Sequence, residues 1–304
     1  MERFDVAVIG GGLLGCFAAR ELSRWKLDIV LLEAREDVCT GISRANTAVV
    51  YPGYDHKPGT LKAEMCVRAN ASFDSLCREL DVPFSRCGSL MLSFGPAADA
   101  VLQKKLRQGL ENGVPGLRLL PAAEAYRMES GLAPGLSSAL FSPTAGTVNP
   151  WQLGIAACEN AVRNGVQLRR NTAVLAMHRE EEFYFLETDS GTIAARAVVN
   201  CAGLASDRVQ ALLFPPSVRI VPTAGDYLVL DRLSASKPAH ILEYEPEEKK
   251  KGLTAVPTVE GSVLLGPTER ENGRDYATTE QGLADVQALA EWLLPGLCRE
   301  SVIR

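Results

Sequence analysis

The chain has 304 residues, 46% of them hydrophobic and 23% charged, with a formal net charge of −5; that is the make-up of a globular protein long enough for two lobes. The acidic balance argues against nucleic acid as a partner, and no run approaches the ~20 apolar residues of a membrane span. Eight cysteines at 16, 39, 66, 77, 87, 158, 201 and 298 include no Cys-x-x-Cys pair and no nearby histidine set, so reduced, mostly buried thiols are expected and no metal.

The opening Met1-Glu2-Arg3-Phe4 leads straight into the β-branched run Asp5-Val6-Ala7-Val8-Ile9, with no signal peptide, and a cytoplasmic location is the expectation. Gly10-Gly11-Gly12-Leu13-Leu14-Gly15 follows, then a helix-like stretch from Cys16 to Trp25. Strand, glycine turn and helix in that order make a dinucleotide-binding turn. Gly10 permits the tight turn, Gly12 lets backbone approach a pyrophosphate, and Gly15 allows close helix–strand packing. The helix N-terminus then offers N–H groups and positive dipole to phosphates. A second apolar run, Leu27 to Leu32, ends at Glu33, eighteen residues after Gly15, where an acid accepts ribose hydroxyls. The fingerprint alone does not choose between NAD and FAD.

The polar stretch Asp37 to Thr47 reads as a long loop able to run along an extended ligand. A helix is expected from Pro58, with Leu61, Met65, Ala69, Phe73, Leu76 and Leu80 as its packed face. Phe84 to Phe94 looks strand-like and Asp99 to Glu111 helical, stopped by Asn112-Gly113. Pro150 opens a helix running to Asn164-Gly165, and strands follow around Val174, Phe183 to Leu186 and Ala197 to Val199. The last of these ends in Cys201-Ala202-Gly203, with Ser206 or Asp207 expected to cap a helix. Strand signals return at Tyr227 to Leu230, Leu253 to Pro257 and Val263 to Leu265. Glu245 to Gly252 and Arg179 to Glu182 read as solvated turns.

With these segments in hand, the chain resembles the FAD-dependent oxidoreductases of the D-amino-acid oxidase superfamily, in the branch of glycerol-3-phosphate and L-2-hydroxyglutarate dehydrogenases. The resemblance lies in Ser43-Arg44-Ala45-Asn46-Thr47-Ala48-Val49-Val50, Lys57 to Ala63, Cys87-Gly88-Ser89-Leu90, Pro143 to Val148, Val199 to Gly203, Gly225-Asp226-Tyr227-Leu228 and Gly266-Pro267-Thr268. It implies an α/β fold: a discontinuous Rossmann-type FAD-binding domain, residues 1–80 and 145–215, with a mixed-sheet α+β substrate domain, residues 81–144 and 216–304, over the flavin. It implies FAD as cofactor, with pyrophosphate at Gly10, Gly12, Leu14 and Gly15, and adenosine ribose at Glu33 and Ala34. Thr40, Gly41, Ser43, Arg44, Asn46 and Thr47 would follow the ribityl side, Val174 the adenine, and Ala202 and Gly203 the pyrophosphate side.

The implied reaction is oxidation of a hydroxyl-bearing carbon on a small anionic substrate, a 2-hydroxy acid or glycerol 3-phosphate-like molecule, by hydride transfer to flavin. The electron acceptor is not legible. Where the branch carries a histidine facing the flavin, this chain has Tyr51, with His56 nearby as the other candidate base. A tyrosine near its ordinary pKa of ~10 is a poor base. Lys62, Tyr227 and Thr268 are the candidate substrate contacts, with Lys62 or Arg44 holding the anion, and Thr223-Ala224 stands where a basic residue often precedes the Gly-Asp-Tyr segment. Family members continue past a segment like Glu300 to Arg304, so the strand and helix closing the FAD domain are expected to be absent. An amino-acid or amine oxidase of the same fold, and an inactive FAD-binding fragment or subunit, are the competing readings.

Overall fold

A computed structural model describes residues 1–232, 237–246, 252–271, 277–297 and 302–303. Cys298 and most of the charged turn at 245–252 lie outside the described residues. The described chain divides into two compact units, the first made of Met1–Asn46, Glu79–Val82 and Pro150–Val221, the second of Thr47–Arg78, Pro83–Asn149 and Pro222–Arg304.

The first unit is built on a six-stranded sheet. Its order is Val174–Glu180, Phe183–Thr188, Gly191–Asn200, Glu2–Ile9, Ile29–Leu32 and Gln167–Arg169. The last four run parallel, and the first three form an antiparallel meander. Alternation assigns the faces: Val6, Val8, Ile29 and Leu31 pack with Cys16, Ala19, Ala157, Cys158 and Ala161, while Ala7, Ile9, Val30 and Leu32 pack with Leu186, Ile193 and Ala195. Because both faces are covered, Ile29–Leu32 is buried at every position, which is why it reads as a continuous apolar run. The first helix, Leu13–Leu22, starts inside the glycine turn with Gly12 as N-cap, earlier than the expected Cys16. Pro150–Arg163 packs against it.

The second unit holds a seven-stranded mixed sheet, in the order Leu228–Leu230, Val263–Gly266, Leu253–Pro257, Ile241–Tyr244, Ser89–Ser93, Ser138–Ser142 and Arg118–Pro121. Ile241–Tyr244 pairs with Ser89–Ser93 in parallel, and the other neighbours are antiparallel. One face is covered by Ala122–Met128 and Glu280–Leu293, through Ala125, Val286, Ala290 and Leu293 against Leu90, Leu92, Leu242 and Leu253. The other face receives Tyr54 and Leu102, the latter from helix Pro96–Glu111, around Met91 and Leu140. A small sheet of Val49–Val50, Gly146–Val148 and Phe84–Ser85 completes the unit.

Two local expectations are corrected. The helix Leu61–Glu79 buries only the later part of the apolar stripe read from sequence: Leu61 is 71% and Met65 41% exposed and Ala69 is exposed, Phe73, Leu76 and Leu80 are half-buried, and Ala63, Asn70 and Cys77 are the buried positions. The cause is polar. Asn70 donates from Nδ2 to the Tyr51 and Thr144 carbonyls at 3.1 and 2.9 Å, and Arg86 Nη1 donates to Asn70 Oδ1 at 3.1 Å, which turns that face inward. These bonds also tie the helix, up to Arg78, into the second unit, whereas residues 1–80 were expected together. The short helix Ser206–Ala211 has Ala205 at its N-cap, and neither Ser206 nor Asp207 caps it; Asp207 instead accepts from the backbone N–H of Ile220 at 3.0 Å.

Candidate functional site

In the first unit the strand Glu2–Ile9 ends at Gly10, whose φ of +102° is open to glycine and strained for other residues. A Cβ there would lie 2.5 Å from the Cys201 carbonyl oxygen and 2.9 Å from Ala202 Cα, so the glycine turn and the Cys201-Ala202-Gly203 segment touch backbone to backbone. Gly15 is still tighter. A Cβ on it would sit 1.8 Å from the Gly10 carbonyl oxygen, which makes glycine the condition for the helix to lie on the turn. Gly12 differs, because it has extended backbone, φ −75° and ψ −179°, and a Cβ there would meet only Ser43 Oγ, at 3.3 Å. The space over Gly12 is otherwise clear, and that is the cradle a pyrophosphate needs.

The polar groups around this turn converge on it. Glu33, at the end of the strand Ile29–Leu32, accepts from Gly11 N–H through Oε2 at 2.7 Å and from Arg35 N–H through Oε1 at 2.9 Å. Ser43 Oγ accepts from Leu13 N–H at 2.9 Å, satisfying one of the N–H groups a helix leaves open at its start. Ser43 and Arg44 lie on a single 3-10 turn, Ile42–Arg44, and Asn46 Nδ2 donates to the carbonyls of Ile42 and Ser43, both at 3.2 Å. Arg35 Nη1 donates to the Thr40 carbonyl at 3.0 Å, so this arginine fastens the loop. Leu14 and Ala34 are exposed, Gly41 has open space about it, Val174 begins its strand half-buried, and Gly203 has φ +56°. This geometry fits an extended dinucleotide: a cleared glycine turn, a helix N-terminus and an acid at the strand end.

Beneath the turn lies a group that sequence reasoning missed. Cys16, Cys39 and Cys158 are buried together as free thiols, with Cys39 and Cys158 against the Cys16 thiol, which donates its one hydrogen to the Gly11 carbonyl at 3.3 Å. These contacts hold the Cys16 thiol well above its ordinary range, so it stays protonated. Their spacing of 23 and 119 residues carries no local signal. Among the described residues no group of three or more His, Cys, Asp or Glu side chains is placed to hold a metal.

The other candidates stand in the second unit. Thr47 Oγ1 and the Tyr51 hydroxyl are 3.3 Å apart. Tyr51 is 36% exposed as a residue; packing about its phenol, then the charge of Glu243, pushes that group above its ordinary value. That shift runs away from base function, and the phenol remains a hydrogen-bond donor. His56 shifts the other way: burial, then Lys62, lowers its pKa below the ordinary value, so its ring is neutral and able to accept a proton near neutral pH. His56 and Lys62 are therefore neighbours electrostatically, as are Tyr51 and Tyr227, whose phenol burial pushes up to about 12. Thr268 Oγ1 accepts from Asp226 N–H at 2.9 Å and donates to Asp226 Oδ2 at 3.4 Å, which engages it in holding the Gly225-Asp226-Tyr227 segment.

Sequence reasoning also missed Glu243. It is a carboxylic acid 7% exposed in the middle of the mixed sheet, accepting from the Tyr54 hydroxyl through Oε1 at 2.6 Å. Burial first, then Asp55, pushes its pKa up to about 7, against the Tyr54 hydrogen bond and the Lys105 charge.

The family model for FAD dependent oxidoreductases, DAO, matches residues 5–304. The glycerol 3-phosphate dehydrogenase of Caloramator mitchellensis is 38% identical over 282 residues, covering 92% of this chain and 59% of that protein. The human mitochondrial L-2-hydroxyglutarate dehydrogenase is 28% identical over 305 residues, covering 93% and 65%. The chain thus spans less than two thirds of the length of either relative. Among solved structures, the dithionite-reduced L-alpha-glycerophosphate oxidase of Mycoplasma pneumoniae with FAD bound superposes with a TM-score of 0.90 at 22% identity, covering 97% of this chain and 79% of that one. The fold, the glycine turn and the family match over residues 5–304 agree: the chain belongs to the DAO family of FAD dependent oxidoreductases.

Proposed function

We propose that this chain binds FAD and oxidises a hydroxyl-bearing carbon of a small anionic substrate, a 2-hydroxy acid or a molecule like glycerol 3-phosphate. The observation that carries the reading is the glycine turn with its cleared space over Gly12, in a chain whose family match runs from residue 5 to residue 304. The names of the two relatives support the substrate class. Bound FAD supplies an acceptor for the hydride.

This chain's residues do the rest. Gly10, Gly12, Leu14, Gly15, Ala202 and Gly203 hold the pyrophosphate by backbone, Glu33 and Ala34 the adenosine ribose, and Val174 the adenine. Thr40, Gly41, Ser43, Arg44, Asn46 and Thr47 line the ribityl side. His56, with its lowered pKa, is the acceptor for the hydroxyl proton, and Tyr51 donates a hydrogen bond to the reacting oxygen. Lys62 supplies charge for the anion, with Tyr227 and Thr268 shaping the substrate side. A cytoplasmic compartment completes the reading, and among the described residues no helix is long and apolar enough to cross a membrane.

The test is anaerobic reduction of the FAD-loaded protein, followed by loss of the oxidised-flavin absorbance. L-2-Hydroxyglutarate or glycerol 3-phosphate should bleach it, and glycine or proline should not. Bleaching by the amino acids alone would make the protein an amine oxidase of the same fold, and bleaching by none would leave a cofactor-binding subunit.

A further inference from the structure

We propose that Glu243 is a positioning residue of the substrate-oxidation site, a proton-switched carboxyl group that acts through the Tyr51–His56 segment and weakens capture of an anionic substrate once its proton is gone. The inference rests on the hydroxyl-oxidising reading above, but its central measurements do not require turnover.

The geometry begins with the strand Ile241–Tyr244. Leu242 belongs to the helix-covered core of the sheet, so Glu243 projects to the opposite face, where Tyr54 meets it. Tyr54 is 1% exposed, and its hydroxyl has Glu243 Oε1 as acceptor. Next to Tyr54 in sequence, Asp55 pairs with Lys105 of the helix Pro96–Glu111, and Lys105 Nζ also reaches Glu245 Oε2 at 2.7 Å. Two carboxylates, Asp55 and Glu245, therefore pair with one ammonium whose charge also reaches Glu243. Ionisation of Glu243 adds one negative charge to this cluster.

The groups facing this carboxyl are Tyr54, Asp55 and Tyr51 from the loop, and Lys105 from the helix, with Glu245 behind Lys105. Burial and Asp55 favour the protonated acid, whereas Tyr54 and Lys105 favour the carboxylate, and the balance puts the transition near neutral pH. Tyr51 feels the result directly, because the Glu243 charge is the second cause of its raised pKa, with Asp55 and Tyr227 contributing less. Below the transition Tyr51 presents a neutral hydroxyl with one charge less behind it. Above it, the same face carries an added negative charge that a substrate anion must approach. Screened by partial solvent access, one such charge changes affinity by about three- to tenfold.

Three measurements on wild type and Glu243→Gln test this. Infrared spectra across about pH 5 to 9 should show a protonated-carboxyl band that vanishes near neutral pH and is missing from the variant. Tyrosinate absorbance, with Tyr51 identified by Tyr51→Phe, should show Tyr51 ionising at lower pH in Glu243→Gln. Calorimetric binding of L-2-hydroxyglutarate should weaken between about pH 6 and pH 8.5 by about three- to tenfold more in wild type than in the variant. A carboxyl already ionised at pH 6, a Tyr51 titration identical in both proteins, or equal pH dependence of binding would each overturn the proposal. If Glu243→Gln does not fold, Asp55→Asn must move the carboxyl band to lower pH, and an unmoved band overturns it. A flavin that no hydroxyl compound reduces, with both titrations as expected, would sink the functional reading and leave the Glu243 switch standing.

Discussion

Replacing Gly12 and Gly15 separately by alanine should split folding from cofactor binding. At Gly15 the new Cβ would lie 1.8 Å from the Gly10 carbonyl oxygen and 3.0 Å from the Gly10 carbonyl carbon, both backbone atoms. A relaxed carbon–oxygen contact needs well over an ångström more, so helix Leu13–Leu22 must lift off a turn that is itself pinned by Gly10 N–H donating to the Leu32 carbonyl at 2.8 Å. Overpacking one methyl into such a junction costs about 1–3 kcal/mol. At Gly12 the backbone is already extended and the Cβ meets only the rotatable Ser43 hydroxyl, at 3.3 Å. Its loss of N-cap glycine and its gain from a stiffer unfolded chain nearly offset, leaving about 1 kcal/mol or less. Urea unfolding should therefore leave Gly12→Ala within about 1 kcal/mol of wild type and move Gly15→Ala by more than that. FAD titration should show both variants weakened by more than about tenfold, which is ~1.4 kcal/mol. A Gly12→Ala protein that folds normally and binds FAD like wild type would mean that no phosphate approaches that backbone.

Glu33→Ala should weaken FAD by losing charge-assisted bonds of about 1.5–3 kcal/mol, read as the dissociation constant; an unchanged value would confine Glu33 to bracing Gly11 and Arg35. Glu243 has a folded pKa of about 7, raised above its ordinary value of 4.5, so its stabilising share is complete below pH 4.5 and is lost as pH rises through 7. Wild type should thus lose up to about 3 kcal/mol between pH 4.5 and 8 through this group. Glu243→Gln should lack that decline, and parallel urea midpoints in the two proteins at both pH values would refute it. Asn70→Ala removes the amide's bonds to the Tyr51 and Thr144 carbonyls and to Arg86 Nη1, leaving the Thr144 carbonyl and Arg86 Nη1 bonded only to each other and the Tyr51 carbonyl with the weak Cys66 thiol donor, and should destabilise by about 1–3 kcal/mol in the same assay; a change under about 0.5 kcal/mol would show that water replaces the amide.

The legible parts of this protein are those in which a single residue type answers a local geometric demand. Gly10 and Gly15 are readable because positive φ and a 1.8 Å clearance admit no other side chain, and Ile29–Leu32 because a strand covered on both faces is apolar throughout. The helix Leu61–Glu79 was readable as a helix but not by face. Apolar spacing selected Leu61, Met65 and Ala69 along with the half-buried Phe73, Leu76 and Leu80, whereas the chain buried Asn70, whose amide answers carbonyls 19 and 74 positions away in sequence. Helix Glu280–Leu293 shows the opposite failure, since Leu283, Val286, Ala290 and Leu293 recur at helical spacing and Thr279 caps it by accepting from Gly282 N–H, signals that were present but passed over. Glu243 offers no such signal. Within Ile241-Leu242-Glu243-Tyr244 an acid between apolar neighbours looks like the solvent side of an alternating strand, and its burial follows from Tyr54, 189 positions away, closing over it. The glycine turn of the first unit is encoded by contacts over tens of residues, and the Glu243 cluster of the second by pairings between segments 50 to 190 positions apart, such as Lys105 with Asp55 and Tyr54 with Glu243. That difference in range is why the dinucleotide turn could be read from the chain directly, whereas FAD, Tyr51 and His56 entered through the family resemblance and Glu243 was missed.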